Sequence, residues 1–458
     1  MDFPYVVIVI ALLLPALFFF RLSNPKPQGS PKAYPLIGNL PQFLKHRHRL
    51  LQWLTELLAA SPTASGVITT NPANLEHLLK SNFENYPKGP RLTSLMRDSS
   101  DGGSSTFEFN TGSLRIFVVE NVQQEITKRL LPRLRSAAAS GATVDLQDLL
   151  ERFAFDNVCQ DPAGGDGLLR RGFAAAFRDA TAISAARFRY AVPGMWKLKR
   201  LLNVGSERRL KESISTVDDF ARRIIRSRKK ELRSPAVAAE GFHHQDLLSR
   251  FITGGDDSDE FLRDIVVSFI LAGRETTSSA LTWFFWLLSE RPDVERKILE
   301  EIRSVRARSE GEEEEKESFG FEELREMNYL HAAITEAMRL YPPVPNSSHC
   351  LADDVLPDGT KVGKGWFVSY NAYAMGRMAA VWGKTAAKSI PVPGLPRWTR
   401  TCLGKEMAYI QMKSIAACLI ENFTLEVARA GRPEMLLSVT LRAKGGLPVR
   451  LRGRTTPR

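Results

Sequence analysis

Cysteine is scarce in this chain: four in 458 residues, Cys159, Cys350, Cys402 and Cys418, with no C-x-x-C pair among them. That scatter excludes a disulfide framework and a cysteine-ligated zinc site, and it fits a reducing compartment. Internal repeats are missing, as is any linker that would divide the chain. One large domain is therefore the simplest account of a length that is long for a single core. Strand signals are few. They cluster at Val355 to Val362, around Pro-Asp-Gly turn chemistry, and at Trp366 to Tyr370, predicting a small sheet in a helical chain. Nucleic-acid recognition is excluded too: the formal charge is +12, but the basic residues are spread along the chain and no aromatic-interleaved basic motif accompanies them. Such charge suits an anionic membrane surface. Arg400, Lys405 and Lys413, near Cys402, suit an acidic electron-donor protein, with plain solvated surface the alternative for each.

Cys402 stands out against that background. In Arg400-Thr401-Cys402-Leu403-Gly404-Lys405-Glu406 the thiol ends an irregular, Pro-rich loop and precedes a helix. Met407 to Ile420 has no Gly or Pro and repeats apolar side chains at helical spacing. Unpaired N–H groups and the positive end of the helix dipole favour a thiolate there, and Arg400 adds a cation. Such a thiolate can hold a metal. A buried, inert cysteine is the alternative, and two upstream motifs argue against it. In Ser268 to Trp286 a long apolar helix carries small and polar residues in its middle. A Thr there bonds back to the carbonyl four residues earlier and Gly273 weakens the same turn, so the ladder is expected to open, admit water and leave Glu275 beside a wet groove. A helix with a few satisfied polar groups is the alternative. In Thr335 to Pro345, Glu336 and Arg339 share a face at i, i+3, and the helix stops before the prolines. Most such pairs are solvated, but Leu340, Tyr341 and the Pro run carry this helix end into a core, predicting a buried scaffold contact.

Together and in this order, the three motifs resemble those of the cytochrome P450 monooxygenases. Ala272-Gly273-Arg274-Glu275-Thr276-Thr277 is similar to the family's oxygen-activation motif, Glu336-Ala337-Met338-Arg339 to its Glu-x-x-Arg, and Arg400-Thr401-Cys402-Leu403-Gly404 to the end of its haem loop. The resemblance runs from the stretch Pro25 to Pro35 through Leu447-Pro448-Val449. It implies a mainly α fold, the cytochrome P450 fold, with a large helical domain, a small β-rich region and an N-terminal membrane anchor, binding haem b. It further implies Cys402 as the axial ligand of the haem iron, Arg400 as partner of a propionate, Thr276 and Glu275 as a proton relay, and Glu336 with Arg339 as a structural brace. The strings Asn82 to Gly89, Phe107 to Thr111, Asp354 to Thr360 and Tyr373 to Met378 resemble the plant clade that oxidises fatty acids and jasmonate conjugates near the chain end. The implied activity is hydroxylation of a long-chain fatty acid at or near its terminal carbon, with O2 and electrons from NADPH-cytochrome P450 reductase. A jasmonoyl-amino-acid conjugate is the alternative substrate.

Phe3 to Phe20 is an apolar run without charge, near the minimum length that spans a bilayer. A cleaved signal peptide is the alternative, but Asp2 stands in place of a basic leader and Phe18-Phe19-Phe20 in place of a small-residue cleavage site. An uncleaved anchor over residues 1–20 is expected, then a stiff Pro-rich hinge over 21–40 and the monooxygenase domain over 41–458. Arg21, Lys26 and Lys32 follow the anchor and keep the rest of the chain cytosolic, so the expected home is the endoplasmic reticulum membrane, spanned once. Helices are predicted at 51–60, 75–80, 118–131, 144–155 and 217–233, loops at 236–246 and 254–259, and a solvated acidic run at 310–317.

Departures from the family pattern are equally specific. Counting back from Cys402, Leu395 and Trp398 occupy the family's Phe and Gly positions, and a Trp side chain has no obvious room where Gly allows a tight turn. The stretch between Gly383 and Cys402 is too short for both the haem loop and the segment before it. Asp101 to Thr106 runs directly into Phe107 where a helix is expected, and Ser61 to Gly66 replaces an expected strand. Three internal losses with intact flanks resemble excised coding sequence, so a catalytically silent splice or pseudogene product is the alternative from another class.

Overall fold

The computed structural model describes residue 45 and residues 66–87, 122–158, 167–187, 195–233, 247–253, 258–309, 317–344, 346–383, 386, 402 and 404–454. The expected anchor and hinge, the helix at 51–60, the string at 107–111, Arg400 and Trp398 lie outside them. The chain divides into two compact units, residues 1–89 with 346–386 and residues 90–345 with 387–458.

The larger unit is helical and built around a core helix, Asp259–Ser289. Ser258 starts it by accepting the Phe261 N–H at 3.3 Å, and Asp259 and Glu260 sit in the first turn, where the dipole favours acids. Its 31 residues span about 46 Å. From Thr277 to Phe285 every side chain is buried, the mark of a helix that passes through a core rather than along it. Leu262, Ile265, Val266 and Ile270 pack with Phe155, Phe173, Phe177 and Phe220 from the helices Leu146–Val158, Gly167–Ala186 and Gly205–Leu232. Phe155 stacks on Phe173 with ring centroids 4.8 Å apart. Two more helices complete the frame: a brace helix, Asn328–Leu340, and a thiol helix, Lys405–Asn422, buried throughout Ile410 to Ile420. Beside them lie a three-stranded sheet (Val144–Asp145, Pro448–Gly453, Phe423–Val427) and a hairpin, Met435–Leu437 with Leu441–Ala443.

The smaller unit carries the other sheet. Gly66–Thr69 runs parallel to Phe367–Tyr370, which pairs antiparallel with Asn346–His349. Val67, Leu78, Tyr86, Cys350, Leu356, Val362 and Val368 form its core. The predicted Pro-Asp-Gly turn joins Asp354–Val355 to Lys361–Val362, and Gly359 sits there at φ 85°, a conformation that needs glycine.

Several expectations are corrected. The helix expected at 144–155 opens with a two-residue strand and is helical from Leu146 to Val158. The helix expected to end at Leu131 continues to Ser140, where Gly141 at φ 66° terminates it. The basic helix expected from Val217 begins at Gly205. Strands are not confined to the expected cluster at 355–370: four more lie between Phe423 and Gly453, and Gly66–Thr69 and Val144–Asp145 precede the Pro run. Among the described residues no helix is long and apolar enough to cross a membrane.

Candidate active site

Cys402 lies just before the thiol helix. Its carbonyl accepts the Lys405 N–H at 3.2 Å, and a Cβ built on the N-cap residue, Gly404, would stand 4.0 Å from its Sγ. The sulfur thus rests beside the helix N-terminus, exposed and unbridged. Cys350 and Cys418 are buried, and burial pushes both thiols upward, away from the thiolate form. Of the described cysteines, only Cys402 is open to a metal.

The core helix is unbroken from Asp259 to Ser289, so the expected local opening is absent. Thr276 does bond back: its hydroxyl donates to the Ala272 carbonyl at 2.6 Å. That bond sits on a half-open face, with Ala272 exposed and Gly273 and Thr276 half-buried. Glu275 is placed differently from the expected wet groove. It is 3% exposed, and its carboxylate accepts from Arg274, itself 1% exposed. The same guanidinium donates through Nη2 to Glu151 Oε2 at 3.0 Å. Glu151 also accepts from Arg442, and Arg178 Nε stands 3.8 Å from it. A carboxylate this deep carries charge only because cations surround it. The structure therefore separates Glu275 and Thr276, neighbours in sequence, onto a sealed and a half-open side of one helix.

Glu336 and Arg339 form a bidentate pair, with Nε and Nη2 donating at 2.7 and 2.6 Å, on the inner face of the brace helix. That helix starts against Glu301, which accepts the Tyr329 and Leu330 N–H groups at 2.7 and 2.9 Å. It ends at Tyr341, stacked on Trp283 of the core helix with centroids 4.3 Å apart. The thiol helix packs against both the core and the brace helices. Glu151 and Arg442 escaped the sequence reading because nothing local marks them; they lie 291 positions apart and meet only in the fold. Among the described residues no group of three or more His, Cys, Asp or Glu could hold a metal ion, and the exposed Cys402 sulfur is the donor this site offers.

Residues 104–387 match the family model of cytochrome P450. Cytochrome P450 CYP94D108 of Paris polyphylla is 46% identical over 92% of this chain and 93% of its own. Cytochrome P450 94A1 of Vicia sativa is 40% identical over 93% and 90%, and cytochrome P450 94B3 of Arabidopsis thaliana is 41% identical over 99% of each. The last alignment runs over 513 residues against the 458 residues here, so the excess faces gaps in this chain. The family match begins at residue 104 and ends at residue 387, before Cys402 is reached.

Proposed function

This chain belongs to the cytochrome P450 family, and from that membership we propose that it hydroxylates a long-chain fatty acid at or near the terminal carbon. It is a monooxygenase akin to the CYP94 proteins of plants, and the family's cofactor is haem b. The observation that carries the reading is Cys402, the one exposed cysteine among the described residues, at the N-terminus of a helix that packs against the core helix bearing Thr276. Haem b fits this donor chemistry: Cys402 would hold the iron, and Arg400 a propionate. When bound, haem activates O2 so that one oxygen atom enters a C–H bond and the other leaves as water, consuming two electrons from NADPH and two protons.

The protein's own part is proton delivery and rigidity. Because the Thr276 hydroxyl donates to Ala272, its lone pairs remain free to accept from a water on the half-open face. Glu275 must leave Arg274 to pass a proton toward Thr276. Glu336 and Arg339 stiffen the helix end that stacks on Trp283. The clade resemblance of strings 82–89 and 354–360 supports a substrate that is a fatty acid or a jasmonate conjugate, and the fatty acid is the one proposed here. A jasmonoyl-amino-acid conjugate is the second candidate, and turnover of both acids by one preparation separates them. NADPH-cytochrome P450 reductase would supply the electrons. We place the protein on the cytosolic face of the endoplasmic reticulum, held in the bilayer by Phe3 to Phe20; carbonate-resistant pelleting with protease-accessible domain epitopes is the expected result.

The gaps favour a second reading, a catalytically silent splice or pseudogene product, because the family match stops short of the haem-ligating region. The carbon monoxide difference spectrum of the reduced protein decides. A thiolate-type Soret band that Cys402→Ser abolishes supports the monooxygenase. Its absence from well-expressed protein supports the silent product, and full-length transcript sequencing then shows whether this chain is the only one made.

A further inference from the structure

The charge cluster around Arg274 draws on four elements. The core helix supplies Arg274 and Glu275, the helix Leu146–Val158 supplies Glu151 and Asp148, the helix Gly167–Ala186 supplies Arg178, and the C-terminal hairpin supplies Arg442. Arg274 is shared between two carboxylates, Glu275 through Nη1 and Glu151 through Nη2; its Nε finds no partner among the described residues. Arg178 is bound mainly elsewhere, donating to Asp148 at 3.0 Å, which Arg152 also engages at 2.6 Å. The cation that balances Glu151 from the far side is therefore Arg442.

Arg442 has little freedom to leave. On one side of it, the Leu441 carbonyl accepts from Ser279 Oγ at 2.6 Å and Trp283 Nε1 at 2.9 Å, both on the core helix. On the other, the Gln147 amide brackets Ala443, accepting its N–H at 2.9 Å and donating to its carbonyl at 3.3 Å. The hairpin backbone is thus clamped to the two helices that carry Glu275 and Glu151. Burial pushes the Glu151 carboxyl above its ordinary value while Arg442 and Arg274 pull it back, so the loss of one of these two cations makes Glu151 lean harder on the other.

We propose that Glu151 and Arg442 are positioning residues for Glu275: by competing for and balancing Arg274, they set how firmly Glu275 is held and the pH at which it takes a proton. This rests on the proton-relay reading of Glu275, and it makes a prediction of opposite signs. Removing Arg442 leaves Glu151 short of a cation, so Glu151 draws Arg274 away and Glu275 becomes easier to protonate. Removing the charge of Glu151 releases Arg274 wholly to Glu275, which becomes harder to protonate.

The test uses full-length protein in two measurements. In the first, infrared pH titration without turnover follows the protonated-carboxyl band that Glu275→Gln removes. The midpoint should move up by about one pH unit in Arg442→Gln and down by a similar amount in Glu151→Gln. It should return near the parental value in the double variant, where both charges are gone, and in Arg442→Lys, which keeps the cation. Shifts in the same direction, or none in variants whose far-ultraviolet circular dichroism is unchanged, would overturn the proposal. In the second, the pH profile of turnover should follow the same two directions. Infrared shifts without a matching profile would leave the network standing and count against Glu275 as a relay, whereas a profile that moves without the infrared midpoint overturns the positioning role.

Discussion

Lys413, expected to meet an electron donor or solvent, is instead buried in the thiol helix at 7% exposure, and burial pulls its ammonium down to about 8 against the attraction of Glu301 and Glu406. The unfolded chain therefore binds this proton more tightly than the folded one between pH 8 and the ordinary value of 10.5. Stability from this group is lowest below pH 8 and is recovered as pH rises through that window; at neutral pH the residue costs up to about 3 kcal/mol. Lys413→Met keeps the volume of the stem and removes the charge. It should stabilise the protein by about 2 kcal/mol at pH 7 and by progressively less toward pH 10, read from urea unfolding at each pH. A gain independent of pH would trace the effect to packing instead.

At the scale of elements, two strings that look unrelated in sequence prove to be halves of one contact. Asp354 Oδ2 accepts from Tyr86 at 2.6 Å and Asn82 at 2.9 Å and pairs with His77 Nε2 at 2.8 Å, while Asn74 donates to Asp358 at 2.6 Å. Burial works against ionisation of Asp354, yet the bonds from Tyr86, His77 and Asn82 hold it at about 2. A depressed carboxylate contributes stability that is present above the unfolded value near 4 and lost as pH falls through 2. Asp354→Asn should therefore cost about 2 kcal/mol at pH 6, with the gap to the parent closing between pH 4 and 2 in urea unfolding at each pH.

A second element-scale contact joins the ends of the larger unit. Asp145 caps the helix bearing Glu151 by accepting the Gln147 N–H at 3.0 Å, and it also accepts the Leu447 N–H at 2.9 Å. Gly445 and Gly446 both have positive φ, 77° and 78°, but a side chain at Gly445 meets nothing within 4 Å, whereas one at Gly446 would strike the Asp145 carboxylate. Gly445→Ala should cost the left-handed penalty of about 1–2 kcal/mol, and Gly446→Ala clearly more; equal thermal shifts would show that the cap moves aside freely. The helices were legible because apolar spacing reports a single buried face, and the three motifs because their chemistry is local. The C-terminal strands were readable in principle, since Pro448–Gly453 alternates burial, but each is short and gains its pattern only beside its partner. Glu275 was misplaced because its partner Arg274 is drawn inward by Glu151, 123 positions away, which nothing local in the sequence marks.

For the molecule as a whole, the helical frame is what the described residues retain. The core, brace and thiol helices pack together, with Tyr341 at the end of the brace helix stacked on Trp283, so a helical frame is present in a chain whose alignment with a relative carries gaps. Of the three stretches that depart from the family pattern, the one between Gly383 and Cys402 is the one expected to bear on haem, being too short for both the haem loop and the segment before it. Loop closure itself varies slowly with length, by about 0.6 kcal/mol per doubling, so a short connection is penalised mainly through geometry: it constrains where the thiol can stand. The chain as it is should therefore fold cooperatively yet hold less haem than a version whose 383–402 connection is replaced by that of the Vicia sativa relative. Haem-to-protein ratio of the two purified proteins, alongside their thermal unfolding, measures this. A higher ratio in the exchanged protein at equal cooperativity would assign the deficit to the loop. Equal, near-stoichiometric ratios would show that the short connection suffices to present Cys402, and the remaining gaps would then bear on substrate rather than on haem.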